Sequence, residues 1–154
     1  MRYALPFIFI LTSVFLVNSC TLKTSDIVTQ DNTILDAYWM LVSLEGQDVP
    51  MPSDSRTAFI RFQEKENDVH GFTGCNKFFG KYTLGEESLA LSELRATRMA
   101  CAGMENENKF LDVLSRVDSY RISKNVLTLY DDDKAVATFM TGNPDTLDND
   151  PGRY

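Results

Sequence analysis

The chain has 154 residues, a formal charge of −7 at neutral pH and three cysteines. That length accommodates one folded domain with a modest core once the termini are set aside, and not two. The acidic balance argues against a grip on nucleic-acid phosphates and against electrostatic docking on anionic lipid.

Arg2 opens a targeting segment, and Ala4 to Val17 is almost continuously apolar. The run is short for a membrane span and matches a signal-peptide core. Asn18-Ser19-Cys20 follows, and a small residue before cysteine resembles a bacterial lipobox, in which Cys20 is lipidated and becomes the mature N-terminus. A lipoprotein signal is therefore expected over residues 1–19, with an ordinary secretory leader as the alternative. Either exports the protein. Losing Arg2 leaves the remainder one charge more negative, so membrane attachment would rest on acyl chains at Cys20. Thr21 is not the Asp that retains lipoproteins at the inner membrane of enteric bacteria, which points to the outer membrane. Residues 20–33 are polar and read as a flexible tether, residues 34–141 as the domain. Residues 142–154, rich in Gly, Pro, Asn and Asp, read as a disordered tail.

Within the domain, Ala37 to Leu44 is aromatic and β-branched enough for a first strand, ended by Gly46 and the Pro50/Pro52 pair. Thr57 to Gln63 alternates, with Ala58, Ile60 and Phe62 inward and Arg61 and Gln63 outward. A turn at Lys65–Asp68 leads into a strand through Val69 and Phe72. Phe78–Leu84 and Ser88–Ser92 read as two more strands. Phe110, Val113, Leu114 and Val117 recur at helical spacing, which predicts one helix from about Met104 to Val117. Glu105 and Glu107 in its first turn and Arg116 in its last suit the helix dipole. Ser119–Ile122, Val126–Tyr130 and Ala135–Met140 complete the strands, with Asp131–Lys134 as a solvated turn. The fold class is α+β: a strongly curved antiparallel β-sheet or open barrel packed against one α-helix.

The sequence offers little catalytic chemistry. Cys75 with His70, the single histidine, is a weak nucleophile–base pair. No metal-ligand spacing, phosphate loop or dinucleotide fingerprint occurs, so no metal and no cofactor are expected. With Cys20 assigned to the lipobox, Cys75 and Cys101 remain, and two cysteines in an exported domain usually pair.

Two segments stand out: Gly71-Phe72-Thr73-Gly74-Cys75-Asn76-Lys77-Phe78-Phe79-Gly80-Lys81-Tyr82, and Ala96-Thr97-Arg98-Met99-Ala100-Cys101 followed by Glu105 and Phe110-Leu111. With Trp39-Met40-Leu41 early and Leu127-Thr128-Leu129 late, they resemble the META/HslJ domain family over about residues 37–140. The resemblance implies a small envelope protein, often lipid-anchored, with an antiparallel sheet wrapped on a helix. It also implies links to heat shock and novobiocin resistance, and it assigns no catalytic residue.

Trp39, Gly71, Gly74, Asn76, Phe78, Gly80, Tyr82, Thr97, Arg98 and Met99 are the motif positions, read as structural. The glycines allow positive φ or close backbone approach, and Asn76 a tight turn. Phe78 and Tyr82 share strand parity. Arg98 is expected to bond nearby carbonyls or to pair with Glu105 or Glu107.

The expected function is that of a non-enzymatic, lipid-anchored envelope protein. It would bind a protein or a small hydrophobic ligand in stress or drug tolerance, with no nucleic-acid partner. A hollow sheet could hold such a ligand. The alternatives are a pilotin- or chaperone-like assembly lipoprotein, and a thiol-dependent redox protein or enzyme using Cys75 and Cys101.

Overall fold

The computed structural model describes residues 33–49, 57–100 and 104–142, with Met104 and Glu105 described in backbone only. The expected signal, Cys20, most of the tether, the tail beyond Gly142 and Cys101 lie outside the described residues.

The elements run β1 (Trp39–Leu44), β2 (Gln47–Asp48), β3 (Phe59–Gln63), β4 (Asp68–Phe72), β5 (Lys77–Leu84), β6 (Leu89–Ala96), α1 (Met104–Ser115), β7 (Ser119–Ser123), β8 (Val126–Asp131) and β9 (Lys134–Thr141). All strand pairings are antiparallel. The sheet runs β6-β5-β4-β3-β1-β9-β8-β7, with β2 added to β1. Its two ends meet at one corner, where Ser88 and Ser119 form an isolated bridge. There the Leu89 amide donates to the Asp118 carbonyl and the Tyr120 amide to the Glu87 carbonyl, both at 2.9 Å. The sheet is an open barrel pinned at that corner, and α1 is the segment that links its two terminal strands. This is the α+β architecture expected from the strand and helix patterns.

Alternation places the core. Trp39, Leu41, Ile60, Phe62, Val69, Phe78, Tyr82, Leu127, Leu129 and Phe139 are buried on the concave side, where Phe110, Val113 and Leu114 of α1 meet them. Phe110 packs edge-on to Phe78 at 5.9 Å between ring centres and tilted against Phe139 at 6.2 Å. Phe62 meets Tyr82 edge-on at 5.4 Å. Large aromatic side chains thus fill the concave face. Polar tips are satisfied inside: the Trp39 indole donates to the Ile34 carbonyl and the Tyr82 hydroxyl to the Gln63 carbonyl, both at 2.9 Å. Burial raises the Tyr82 pKa above its ordinary value.

Several expectations need correction. The first strand does not simply end at Gly46. Glu45 and Gly46 both take positive φ, a two-residue turn of the kind that suits a hairpin, and β2 returns beside β1. The Phe59 side chain is fully buried although it alternates with the core positions. With Met40 and Phe72 it forms a second cluster on the other face of the sheet. β6 runs to Ala96 rather than Ser92, because Glu93, at φ 53°, makes a bulge that lets pairing resume at Arg95. α1 stops at Ser115, leaving Arg116 just beyond the last turn, while Val117 is still buried.

Arg116 joins the β1–β2 turn, α1 and β8. Its guanidinium reaches Glu45 at 2.6 Å, Asp112 at 3.3 Å and the carboxylate of Asp131. Lys109 adds a second cation 3.3 Å from Glu45. The Asp131 side of the acidic turn is therefore tied to the end of α1, not merely solvated. The Asp132 amide is also bonded, donating to Asp118 at 2.8 Å.

Candidate functional site

The chain between β4 and β5 turns sharply. Gly74 supplies φ 97° there, a conformation a side chain resists. Thr73 closes the turn: its hydroxyl accepts from the Asn76 amide at 2.9 Å and the Cys75 amide at 3.3 Å, and donates to the Asn76 carbonyl at 3.1 Å. Gly71 serves a different need. A Cβ there would stand 2.1 Å from the Phe59 carbonyl oxygen and 2.6 Å from the Phe78 ring. Gly80 sits opposite the β6 bulge, where a Cβ would lie 2.7 Å from the Ser92 carbonyl oxygen.

The turn delivers Asn76, which is 1% exposed, into the gap between the two motifs. Its side-chain oxygen accepts from the Thr97 hydroxyl and the Met99 amide, both at 2.7 Å. Its side-chain nitrogen donates to the Met99 carbonyl at 3.3 Å and to Glu107 Oε2 of α1 at 2.9 Å. Thr97 returns a bond through its amide to the Lys77 carbonyl at 2.9 Å. Asn76 is therefore a buried clasp joining β5, the segment after β6, and α1. It does more than shape its own turn.

Glu107 was expected to complement the helix dipole. It does sit in the first turn, but its main feature is burial against Asn76. A signal for this was present in the sequence: Glu107 occupies the apolar stripe, three residues before Phe110 and seven before Leu114. An acid at a core position needs a buried partner. Arg98 does not pair with Glu107, which bonds Asn76, and the side chain of Glu105, the other expected partner, lies outside the described residues. Arg98 is exposed and makes no ion pair among the described residues.

Cys75 Sγ lies 3.5 Å from the Met99 carbonyl oxygen and 3.3 Å from Asn76 Nδ2. His70 stands elsewhere, in a cross-strand row between Arg61 and Phe79. Among the described residues no cluster of three or more His, Cys, Asp or Glu is placed to hold a metal.

Above the Asn76 clasp opens a groove of about 620 Å³ between the end of β6 and α1. Leu94, Ala96, Met99 and Leu111 line it together with Asn76, Glu107 and Arg98; Arg95 also borders it, but pairs with outward Phe79 and stands on the other face of β6 beside Lys81. Met99 is 61% exposed, an unusual position for a large apolar side chain. The motif residues thus divide into two groups. Trp39, Gly71, Gly74, Asn76, Phe78, Gly80, Tyr82 and Thr97 have structural work visible in the fold. The side chains of Arg98 and Met99 make no such contact among the described residues and line the groove.

Known structures share the architecture. An NMR structure of a protein from Burkholderia xenovorans aligns with a TM-score of 0.61 and 24% identity, over 71% of this chain and 84% of that one. A second protein solved by NMR aligns at 0.56 and 29%, over 73% and 92%. A crystal structure of a DUF4847 family protein from Bacteroides vulgatus aligns at 0.53 and 15%, over 73% and 96%. No curated protein matches the sequence. The META domain family model matches residues 32–143, which takes in every described element, the Asn76 clasp and the groove, and the chain belongs to that family.

Proposed function

We propose that this protein is a non-enzymatic, lipid-anchored envelope protein that binds a partner in its groove and contributes to stress or drug tolerance. The observation that carries the binding reading is the division just described. Asn76 and Thr97 are consumed in holding the second motif, while Arg98 and Met99 of the same motif face solvent beside an apolar wall. A ligand site on this protein belongs on that surface, because the concave interior is already filled by Phe62, Phe78, Phe110 and Phe139. Anchoring rests on the Ser19-Cys20 lipobox and places the domain in the envelope, on the outer membrane in this reading.

We propose further that Cys75 pairs with Cys101. The Met99 carbonyl lies against Cys75 Sγ, and Cys101 follows two residues later in the sequence. A thiol held in such a bridge is not a nucleophile.

The test is genetic. In the source bacterium, a chromosomal Arg98→Glu/Met99→Asp protein that reaches the envelope in normal amount is expected to reproduce the stress or drug sensitivity of the deletion. A Cys75→Ser protein that still folds is expected to keep function. Wild-type tolerance in the groove variant, or lost tolerance in a folded Cys75→Ser variant, would turn the reading toward assembly or thiol chemistry respectively.

A further inference from the structure

We infer that the acidic segment after Gly142, residues 143–154, docks on the outer face of this chain's own sheet, with Leu147 over Phe59 and Phe72 and its aspartates against Arg61 and Lys77.

That face is buried where no described element overlies it. Antiparallel pairing sets Met140, Met40, Phe59, Phe72 and Lys77 in one row across β9, β1, β3, β4 and β5. Side chains on the open face of an antiparallel sheet ordinarily stand in water. Here Met40 is 9% exposed, Phe59 0% and Phe72 5%, and His70 in the next row is 4% exposed. The main core and Phe110, Val113 and Leu114 of α1 lie on the concave side. Among the described residues, Tyr38 is the one further apolar side chain packed on this cluster. The rest of the cover has to come from chain beyond those residues.

Gly142 is where such chain departs. Its amide donates to the Tyr38 carbonyl at 2.8 Å, and a Cβ on it would stand 2.2 Å from Met40 Cγ. The segment therefore leaves β9 at the border of the cluster. Phe59 and Phe72 lie two and three strands from β9 in the sheet order. That is about 10–14 Å at the usual strand spacing. Leu147 follows Gly142 by five residues, a reach of about 17 Å. It is the one large apolar residue in the run Asn143-Pro144-Asp145-Thr146-Leu147-Asp148-Asn149-Asp150.

Charge points to the same occupant. Lys77 ends the apolar row beside Phe72 and makes no ion pair among the described residues. Arg61 begins the adjoining row, and its guanidinium meets Asp36 at a long 3.5 Å. Lys81 is already taken by Asp68 at 2.6 Å. Residues 143–154 bring Asp145, Asp148 and Asp150 against the single Arg153. A second copy docked symmetrically on this face would set its cations against one another, whereas the acidic segment neutralises them.

The test uses the full-length protein in detergent solution, with Leu147 replaced by a diazirine amino acid and isotopically light and heavy chains mixed. Irradiation is expected to cross-link position 147 within its own chain to residues 38–40, 59–61 and 70–72, mapped by mass spectrometry. Asp145→Lys/Asp148→Lys should cut that yield about tenfold, with Asp145→Asn/Asp148→Asn in between. The same photoreactive residue at Asp133, in the β8–β9 turn, should leave that face unlabelled. A chain ending at Gly142 should melt about 5 °C lower. In it peroxide should oxidise Met40 several-fold faster relative to Met140. Cross-links between light and heavy chains at these residues would assign the face to a second copy and overturn the inference. So would labelling elsewhere, labelling indifferent to the charge reversals, or a truncated chain that matches wild type in melting and Met40 oxidation.

Discussion

Asn76 commits both ends of its carboxamide to other segments, and it does so in near-complete burial. Truncating it leaves the Glu107 carboxylate buried without its donor and the Thr97–Met99 segment without its acceptor. Such losses compound in a low-dielectric site. Asn76→Ala is expected to lower unfolding free energy by roughly 2–4 kcal/mol, read from urea denaturation. Asn76→Asp should be no better, since it sets a second carboxylate against Glu107. Gly71→Ala tests the neighbouring close approach. The added methyl meets the Phe59 carbonyl and the Phe78 ring, so a loss of about 1–3 kcal/mol or more is expected in the same assay. The types of both residues were legible in the sequence as turn and close-approach chemistry. The partners were not. Asn76 bonds residues more than twenty positions away, and nothing local specifies which.

At the scale of elements, strand and helix periodicity carried most of the information, and it failed where one face did not decide. Phe59 belongs to a second buried face that a simple inward–outward alternation assigns to solvent. The far half of β6 was hidden by Glu93, whose bulge breaks the period of two. The Arg116 cluster was invisible for the same reason as the Asn76 clasp: its carboxylates come from the β1–β2 turn, α1 and β8. It yields a pH prediction. The Arg116 guanidinium, with Lys109, holds the Glu45 carboxyl below its ordinary value of 4.5. Asp131, with Glu45, in turn raises the pKa of Arg116. A carboxyl depressed on folding contributes stability above its unfolded pKa, and that contribution is lost as pH falls through the folded value. Arg116→Gln should therefore melt below wild type at neutral pH. The gap should close as pH drops below 4.5, and a gap that is constant with pH would deny Glu45 this role.

For the whole molecule, composition and strand spacing were enough for an open antiparallel barrel with one helix. The corner bridge between Ser88 and Ser119 and the position of the groove depend on how the two sheet ends meet, which no local pattern encodes. The proposed Cys75–Cys101 bridge acts at this scale, because it fixes the segment after β6 to the turn before β5. Cys101→Ser should cost about 3–4 kcal/mol in unfolding free energy, and reductant should then have no further effect. Equal stability of wild type with and without reductant would argue that no bridge is present. The proposed binding of a partner belongs at this scale too, in the groove between β6 and α1. A photoreactive amino acid at Met99 or Leu111, compared in living cells with one at Tyr130 on β8, tests this most directly. The account predicts one defined adduct at both groove positions, absent from the control and lost in Arg98→Glu. No adduct in the groove, or the same adducts at all three positions, would contradict it.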